Sequence, residues 1–111
     1  MPTLYLSAAK PQIQRGAAYY RDFYAILQNR VGPDYAIHPN LRVKLRPGIR
    51  AVVFDRDRRL RAEGVVSAIT RKPSHGVERY DVHIPNLTQV PYSNPPGVNR
   101  CGVAFEWDPH T

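Results

Sequence analysis

The side chains best suited to chemistry in this sequence are its cations, and half of them lie in one short window. Positions 42–61, called the basic window below, hold eight basic residues and only two acidic ones, Asp55 and Asp57, a net charge of +6. Seven of the eight are arginine, whose planar guanidinium makes forked contacts to phosphate and stacks on bases. The eight are Arg42, Lys44, Arg46, Arg50, Arg56, Arg58, Arg59 and Arg61. We predict that they bind nucleic acid, RNA or DNA, through its backbone.

The whole chain is basic as well. Its 111 residues include sixteen Lys and Arg against nine Asp and Glu, a net charge of +7 at pH 7. This excess favours an anionic partner. A basic surface that only keeps the protein in solution, or a genome rich in G and C, would give a similar composition. The alternative hypothesis is a structural or assembly protein, such as a small phage or mobile-element component, whose basic face meets an acidic protein partner.

Two groups of cations within the basic window are predicted to lie on different structures, a strand and a turn. The alternation over Leu41–Arg46 predicts a strand that carries Arg42, Lys44 and Arg46 in a row on its exposed face, about 6.5–7 Å apart. The arginines from 56 to 61 lie at a turn, where Asp55 and Asp57 compete for them. We expect the strand cations to contribute more to binding, because a rigid support loses less entropy. A charged outer face that blocks aggregation is the alternative.

Aromatic side chains interleaved with cations are typical of proteins that bind single strands, because every base has a face to stack. The chain has seven tyrosines. Tyr20 and Tyr24 fall on the apolar stripe of a predicted helix, so we expect them to pack in the core. Tyr19, Tyr35 and Tyr92 are predicted to be exposed and available for stacking.

No motif indicates catalysis or metal binding. The histidines have no metal-ligand spacing; they are His38, His75, His83 and His110. The single Cys101 excludes an internal disulfide and a cysteine-only zinc site. Asp81, His83 and Arg79 could form an acid–base trio or a solvated strand face. We expect no metal, no cofactor and a non-catalytic role, and keep an enzyme acting on nucleotides or nucleic acid as the third hypothesis.

Length and hydropathy bound the class of protein. A chain of this length fits one domain, residues 1–111. Its apolar runs are far shorter than the roughly 20 residues of a transmembrane helix, so no membrane association is expected. The N-terminus lacks the features of a secretory signal. We expect a cytoplasmic protein.

The elements that must position these residues are one helix and several strands. The sequence predicts a first strand over Thr3–Ser7, one helical turn over Lys10–Gly16, and a main helix over Ala17–Val31, ended by Gly32-Pro33-Asp34. Alternating patterns then predict further strands; these are Leu41–Arg46, Ile49–Asp55, Leu60–Thr70, Glu78–Ile84 and Cys101–Trp107. Gly64 suggests a bend, and residues 85–96 an irregular proline-rich loop.

Short polar turns between these strands favour antiparallel pairing, and a short, bent sheet closes most easily into a barrel. We therefore predict an α+β fold: a small, strongly bent antiparallel β-barrel with one main N-terminal amphipathic helix that caps one open end.

Several segments support this prediction by resemblance. They are Leu4–Ser7 with Lys10-Pro11 and Gly16, Arg46-Pro47-Gly48 before Ala51–Phe54, Gly64–Ile69, and Arg79–Ile84. In this order they resemble the opening strand and short helix, the turn and second strand, and the next two strands of the PUA-like barrel group, which includes the ASCH and EVE domains. An SH3-like barrel has a similar pattern. The resemblance implies a barrel that binds nucleic acid, and it carries over no catalytic residue.

Overall fold

The computed structural model describes residues 2–8, 12–14, 17–19, 22–37, 42, 45–72, 79–98 and 103–107. Strands dominate the described residues, which contain ten strands and one short helix. The strands are β1 (Pro2–Ser7), β2 (Gln12–Gln14), β3 (Ala17–Tyr19), β4 (Val31–Ala36), β5 (Arg50–Asp55), β6 (Leu60–Val65), β7 (Ala68–Lys72), β8 (Arg79–His83), β9 (Thr88–Val90) and β10 (Val103–Trp107), and helix α1 is Phe23–Asn29.

The described strands form three sheets. The main sheet has the order β10-β1-β5-β6-β9, the second sheet has the order β4-β8-β7, and β2 and β3 form a separate pair. Within the main sheet β1 and β5 are parallel, whereas the other neighbours are antiparallel. The sheets do not close into a barrel. The predicted α+β barrel with a main N-terminal helix is therefore wrong, and the fold is mostly β.

The core lies between the two larger sheets. Alternate residues of the main sheet, such as Leu4, Val53 and Ala62, point to the inner face and join one buried cluster with Val82 of the second sheet and Phe23 of α1. Because side chains alternate along a strand, the other residues of β5 and β6 point to the opposite, outer face of the main sheet. The residues of the basic window that lie on β5 and β6 are thus divided between the inner and the outer face of the main sheet.

Strand β5 is buried on both faces. All five residues of Ala51–Asp55 are buried, including Val52 and Phe54, which point to the outer face. A strand covered on both sides is typical of the centre of a layered fold, and its continuous apolar run fits that place. The outer face of the main sheet must therefore be covered as well.

A proline-rich stretch, residues 91–98, lies against this outer face and is called the proline segment below. Arg61 Nη1 donates a hydrogen bond to the carbonyl of Ser93 at 3.2 Å, and Arg56 Nη2 donates one to the carbonyl of Pro96 at 3.2 Å. The segment has no regular secondary structure, as predicted, but the irregular loop predicted over residues 85–96 also contains β9, which pairs with β6. Side chains of the sheet therefore donate hydrogen bonds to backbone carbonyls that lie outside any strand pairing.

The helix is shorter than the predicted Ala17–Val31. Asp22 caps it by accepting hydrogen bonds from two backbone N–H groups, and Arg30, in the left-handed conformation (φ 58°), ends it. Residues 17–19 form β3 instead. Gly32-Pro33-Asp34, predicted to end the helix, lies inside β4, where the register with β8 shifts. A proline is tolerated at such an irregularity on an edge strand.

The predicted strand over Leu41–Arg46 is wrong at the residues that the structure describes. Arg42 is helical, and the backbone N–H of Leu45 donates to the carbonyl of Arg42 at 3.1 Å. Leu41 and Leu45 are four residues apart in the sequence, so the same pattern also fits a helical turn. Lys44 lies outside the described residues. The predicted helical turn over Lys10–Gly16 is also wrong, since β2 lies within it.

The other predicted strands are found, with shifted ends. The predicted strand Leu60–Thr70 is divided into β6 and β7, because the chain passes from the main sheet to the second sheet at Val66 and Ser67. Gly64 lies just before this division. A Cβ atom there would lie 2.5 Å from Ile84 Cγ2 and 3.1 Å from the Leu87 Cα. Gly64 is therefore required by the close approach of the chain that follows β8.

Gly64→Ala should destabilise the protein by about 1–3 kcal/mol, because the added methyl group would meet Ile84 and the backbone of Leu87. Urea unfolding measures the change. Gly97→Ala is the matched control, since a Cβ at Gly97 would have no atom within 4 Å. Equal stability of both variants and the native protein would contradict this account of Gly64.

Candidate nucleic-acid interface

The structure does not bring the cations of the basic window into one row. Arg50, Arg56 and Arg61 lie on the outer face of the main sheet, and Arg58 lies on the opposite side, against α1. Arg42 donates a hydrogen bond to the Tyr80 hydroxyl of the second sheet at 3.0 Å. Arg46 and Arg59 lie on the turns before and after β5. The predicted row of Arg42, Lys44 and Arg46 is not formed on a strand.

On the outer face, two arginines share one carboxylate oxygen. Glu63 Oε1 accepts hydrogen bonds from Arg50 Nη2 at 2.6 Å and from Arg61 Nη2 at 3.0 Å. Burial opposes ionisation of Glu63, but the two guanidinium groups outweigh it and hold the pKa of Glu63 below its usual value. Arg61 also lies over the Tyr5 ring and is buried, whereas half of the Arg50 side chain is exposed. Arg50 is therefore the accessible cation of this cluster.

Arg58 connects the β5–β6 turn to the start of α1. Its Nη2 donates to Asp22 Oδ1 at 2.6 Å and its Nε donates to Asp55 Oδ2 at 2.5 Å. Asp55 also accepts from the backbone N–H groups of Asp57 and Arg58, which fixes the turn. The turn is thus firmly anchored, contrary to the flexible connection expected from the sequence.

The contacts of Arg58 also determine the protonation states of Asp22 and Arg58. Burial raises the pKa of Asp22, but the Arg58 hydrogen bond and charge, together with the backbone N–H groups of Ala25 and Tyr24, lower it more, so the pKa of Asp22 lies below its usual value. The hydrogen bonds to Asp22 and Asp55 raise the pKa of Arg58. The pair is fully ionised at neutral pH.

The exposed arginines of the basic window lie at the two ends of β5. Arg46 precedes the Pro47-Gly48 turn, and Arg59 has the left-handed conformation (φ 54°) at the end of the β5–β6 turn. Neither guanidinium forms an ion pair with a residue that the structure describes. Arg56 is exposed too, and it contacts the Pro96 carbonyl and the Phe54 ring rather than a carboxylate.

The length of β5 sets the spacing of these groups. Arg46 and Arg50 lie at one end, Arg56 and Arg59 at the other, and six strand residues separate the ends by about 20 Å. This distance corresponds to about six base pairs along duplex DNA. A nucleic acid that contacted both ends would therefore have to span at least this length.

The tyrosines are placed differently from the prediction. Tyr35 is fully buried, and its hydroxyl donates to the Ser7 carbonyl at 2.9 Å, so its predicted exposure is wrong. Its strand, β4, turns this side chain towards the core. Tyr92 is half-buried in the proline segment. Tyr19 lies in β3 opposite Gln12, and its side chain is outside what the structure describes.

Tyr24 is the residue that the sequence reasoning missed. It was expected to pack, but it is 49% exposed, and its ring lies next to the Arg58 guanidinium. The signal was Asp22, a good N-cap residue inside the predicted helix. A helix that begins after Asp22 turns Phe23 and Ile26 inwards and Tyr24 outwards.

The possible acid–base trio lies on the second sheet. His83 Nε2 is 2.8 Å from the Thr70 hydroxyl, and Asp81 and Arg79 are half-buried on the same strand. Among the described residues no three His, Cys, Asp or Glu side chains form a metal-binding group. Cys101 and the other three histidines lie outside them. No helix in the described part of the chain is long and apolar enough to cross a membrane.

No protein-family model matches this chain, and the comparisons with curated proteins and with solved structures found no match. The resemblance to the PUA-like group therefore stays a prediction.

Replacing the charge of Asp22 should destabilise the fold at neutral pH but less so in acid. The pKa of Asp22 is lowered in the folded state, so its charge stabilises the fold above the usual aspartate pKa of about 3.9, and this contribution is lost as the pH falls through the lowered value. Asp22→Asn keeps a good helix cap and should cost about 1 kcal/mol at pH 7.

Urea unfolding at pH 7 and at pH 3 measures this difference. Asp57→Asn is the control, because Asp57 is exposed and lies next to Arg58 on the β5–β6 turn. We expect no effect of the control at either pH. A cost of Asp22→Asn that is the same at both pH values would show that ionisation of Asp22 does not contribute.

Proposed function

We propose that this protein binds nucleic acid without catalysis, through arginine contacts to the phosphate backbone at the two ends of β5. One observation carries the proposal. The carboxylates of Asp22, Asp55 and Glu63 bind Arg58, Arg61 and Arg50, while the exposed Arg46 and Arg59 form no ion pair with the described residues. These two are therefore available to an external anion.

The charge balance supports this proposal. Counted against Asp22, Asp55, Asp57 and Glu63, the eight cations of the basic window still exceed the acids by four. Guanidinium groups that are exposed and carry no carboxylate partner lose little on meeting a phosphate, because no ion pair has to break first. Such contacts position a protein on nucleic acid without reading its sequence.

Binding should weaken steeply with salt. If Arg46, Arg50, Arg56 and Arg59 neutralise four phosphates, the slope of log affinity against log salt concentration is about −3 to −4. Each single change of Arg46, Arg56 or Arg59 to Gln should reduce this slope by about one unit. Fluorescence anisotropy with labelled 20-nucleotide DNA and RNA, from 50 to 200 mM salt, measures both quantities.

Arg71→Gln is the matched control, since it removes the same charge from the exposed surface of the second sheet. It should change the slope much less. Equal effects of all the arginine changes would indicate attraction by net charge alone, and absence of binding at low salt would refute the proposal.

The backbone conformation of Arg59 destabilises the fold, and its side chain is proposed to contact a phosphate. A residue other than glycine in the left-handed region is strained by about 1 kcal/mol. Arg59→Gly should therefore raise the free energy of unfolding by about 0.5–1 kcal/mol and yet weaken nucleic-acid binding. Arg59→Gln should weaken binding equally with no gain in stability. Unchanged affinity of both variants would remove Arg59 from the interface.

A second candidate is binding of an acidic protein partner, as in an assembly. The observation that favours it is the proline segment, since Arg56 and Arg61 already bind main-chain carbonyls of an irregular stretch of protein. Poly-glutamate competing with nucleic acid, or binding where nucleic acid does not, would favour this candidate.

A further inference from the structure

An exposed aromatic ring lies beside the basic β5–β6 turn. Tyr24 and Val65 are the large hydrophobic side chains that are exposed in the described part of the chain, and Tyr24 is the more exposed. A neighbouring ring restricts the orientation of the Tyr24 ring. The Phe23 ring packs edge-on against it, with centroids 5.4 Å apart and planes at 84°.

The Arg58 guanidinium completes the arrangement, with its Cζ 5.6 Å from the centroid of the Tyr24 ring. Asp22 and Asp55 hold this guanidinium from the other side. Tyrosine rings and guanidinium planes are the two flat groups on which proteins stack unpaired bases. Here both are held before any ligand arrives, so little conformational entropy remains to be lost.

Neighbouring arginines differ in whether carboxylates balance their charge. Two carboxylates compensate Arg58, so this side chain offers a flat surface rather than net charge. Arg59, next to it on the same turn, is exposed and has no carboxylate partner among the described residues. A flat surface beside an exposed cation matches a nucleotide, which has a flat base and a charged phosphate.

We infer that Tyr24 and Arg58 form a stacking site for an unpaired base, which makes single-stranded nucleic acid the preferred ligand of the interface. The inference rests on the proposed function and adds the strandedness of the ligand. A base inside a duplex is covered by its neighbours on both sides and cannot stack on Tyr24. Duplex would therefore gain the phosphate contacts of the arginines but not the stacking contact.

The experiment compares Tyr24→Leu with Tyr24→Phe on single-stranded and duplex DNA of the same sequence. Loss of one stacked base should weaken single-strand binding about tenfold or more, whereas duplex affinity should change less than about twofold. The salt slope should stay the same, because no phosphate contact is removed. Tyr24→Phe keeps the ring and should behave like the native protein. Circular dichroism confirms folding.

A second readout reports stacking directly and includes the unsubstituted protein. A single strand carrying 2-aminopurine should fluoresce less in the saturated native complex than in the Tyr24→Leu complex, because stacking quenches this base. Equal losses on both DNA forms, or equal fluorescence in both complexes, would overturn the stacking site alone. Failure of the native protein to bind either DNA form or the labelled RNA would refute the proposed function together with it.

Discussion

The burial of β5 on both faces is the constraint on which the rest of the structure depends. Its run from Ala51 to Asp55 has no exposed residue, so the chain must supply a cover on each side. The second sheet and α1 cover the inner face, and the proline segment lies against the outer face. The pairing with β1 follows from the same central position, because a strand inside a sheet needs a partner on each edge. The exposed arginines of the basic window lie at the two ends of β5, where the burial stops.

The arginines of the basic window divide into structural ones and available ones. Arg58 and Arg61 bind carboxylates or carbonyls and hold α1 and the proline segment against the main sheet. Because these contacts neutralise the nearby acids, the excess positive charge of the basic window lies partly at Arg46, Arg56 and Arg59, which have no carboxylate partner among the described residues. A surface count of charges would miss this distinction, since a guanidinium already bonded to two carboxylates adds little to the field that a phosphate meets. The availability of each arginine therefore matters more than its position in the sequence.

Part of the fold could be predicted because local patterns were unambiguous. Strands β1, β5, β8 and β10 were found where alternation or a short apolar run predicted them. Gly64 lies within β6 in regular register, and the close approach of Ile84 and Leu87 is what requires a glycine there. The helix was overextended because the apolar stripe from Tyr20 to Val31 runs past both ends of α1, while the capping signal of Asp22 was not weighed against it. The strand at Leu41–Arg46 failed because leucines four apart fit a helical turn as well as alternate positions of a strand. The barrel failed because short turns between strands do not specify which strands become neighbours.

The sequence by itself determined the charge, the concentration of arginine in residues 42–61 and most of the strands, since these depend on composition and on neighbours along the chain. Only the tertiary structure decided which arginines are exposed and which tyrosine is. Asp22 and Arg58 are 36 residues apart, and Tyr35 is bonded to Ser7 across 28 residues. Contacts over such separations depend on how the sheets pack, and no periodicity within one segment encodes them. Tyr24 is exposed and Tyr35 buried for this reason, although both are tyrosines within the same half of the chain.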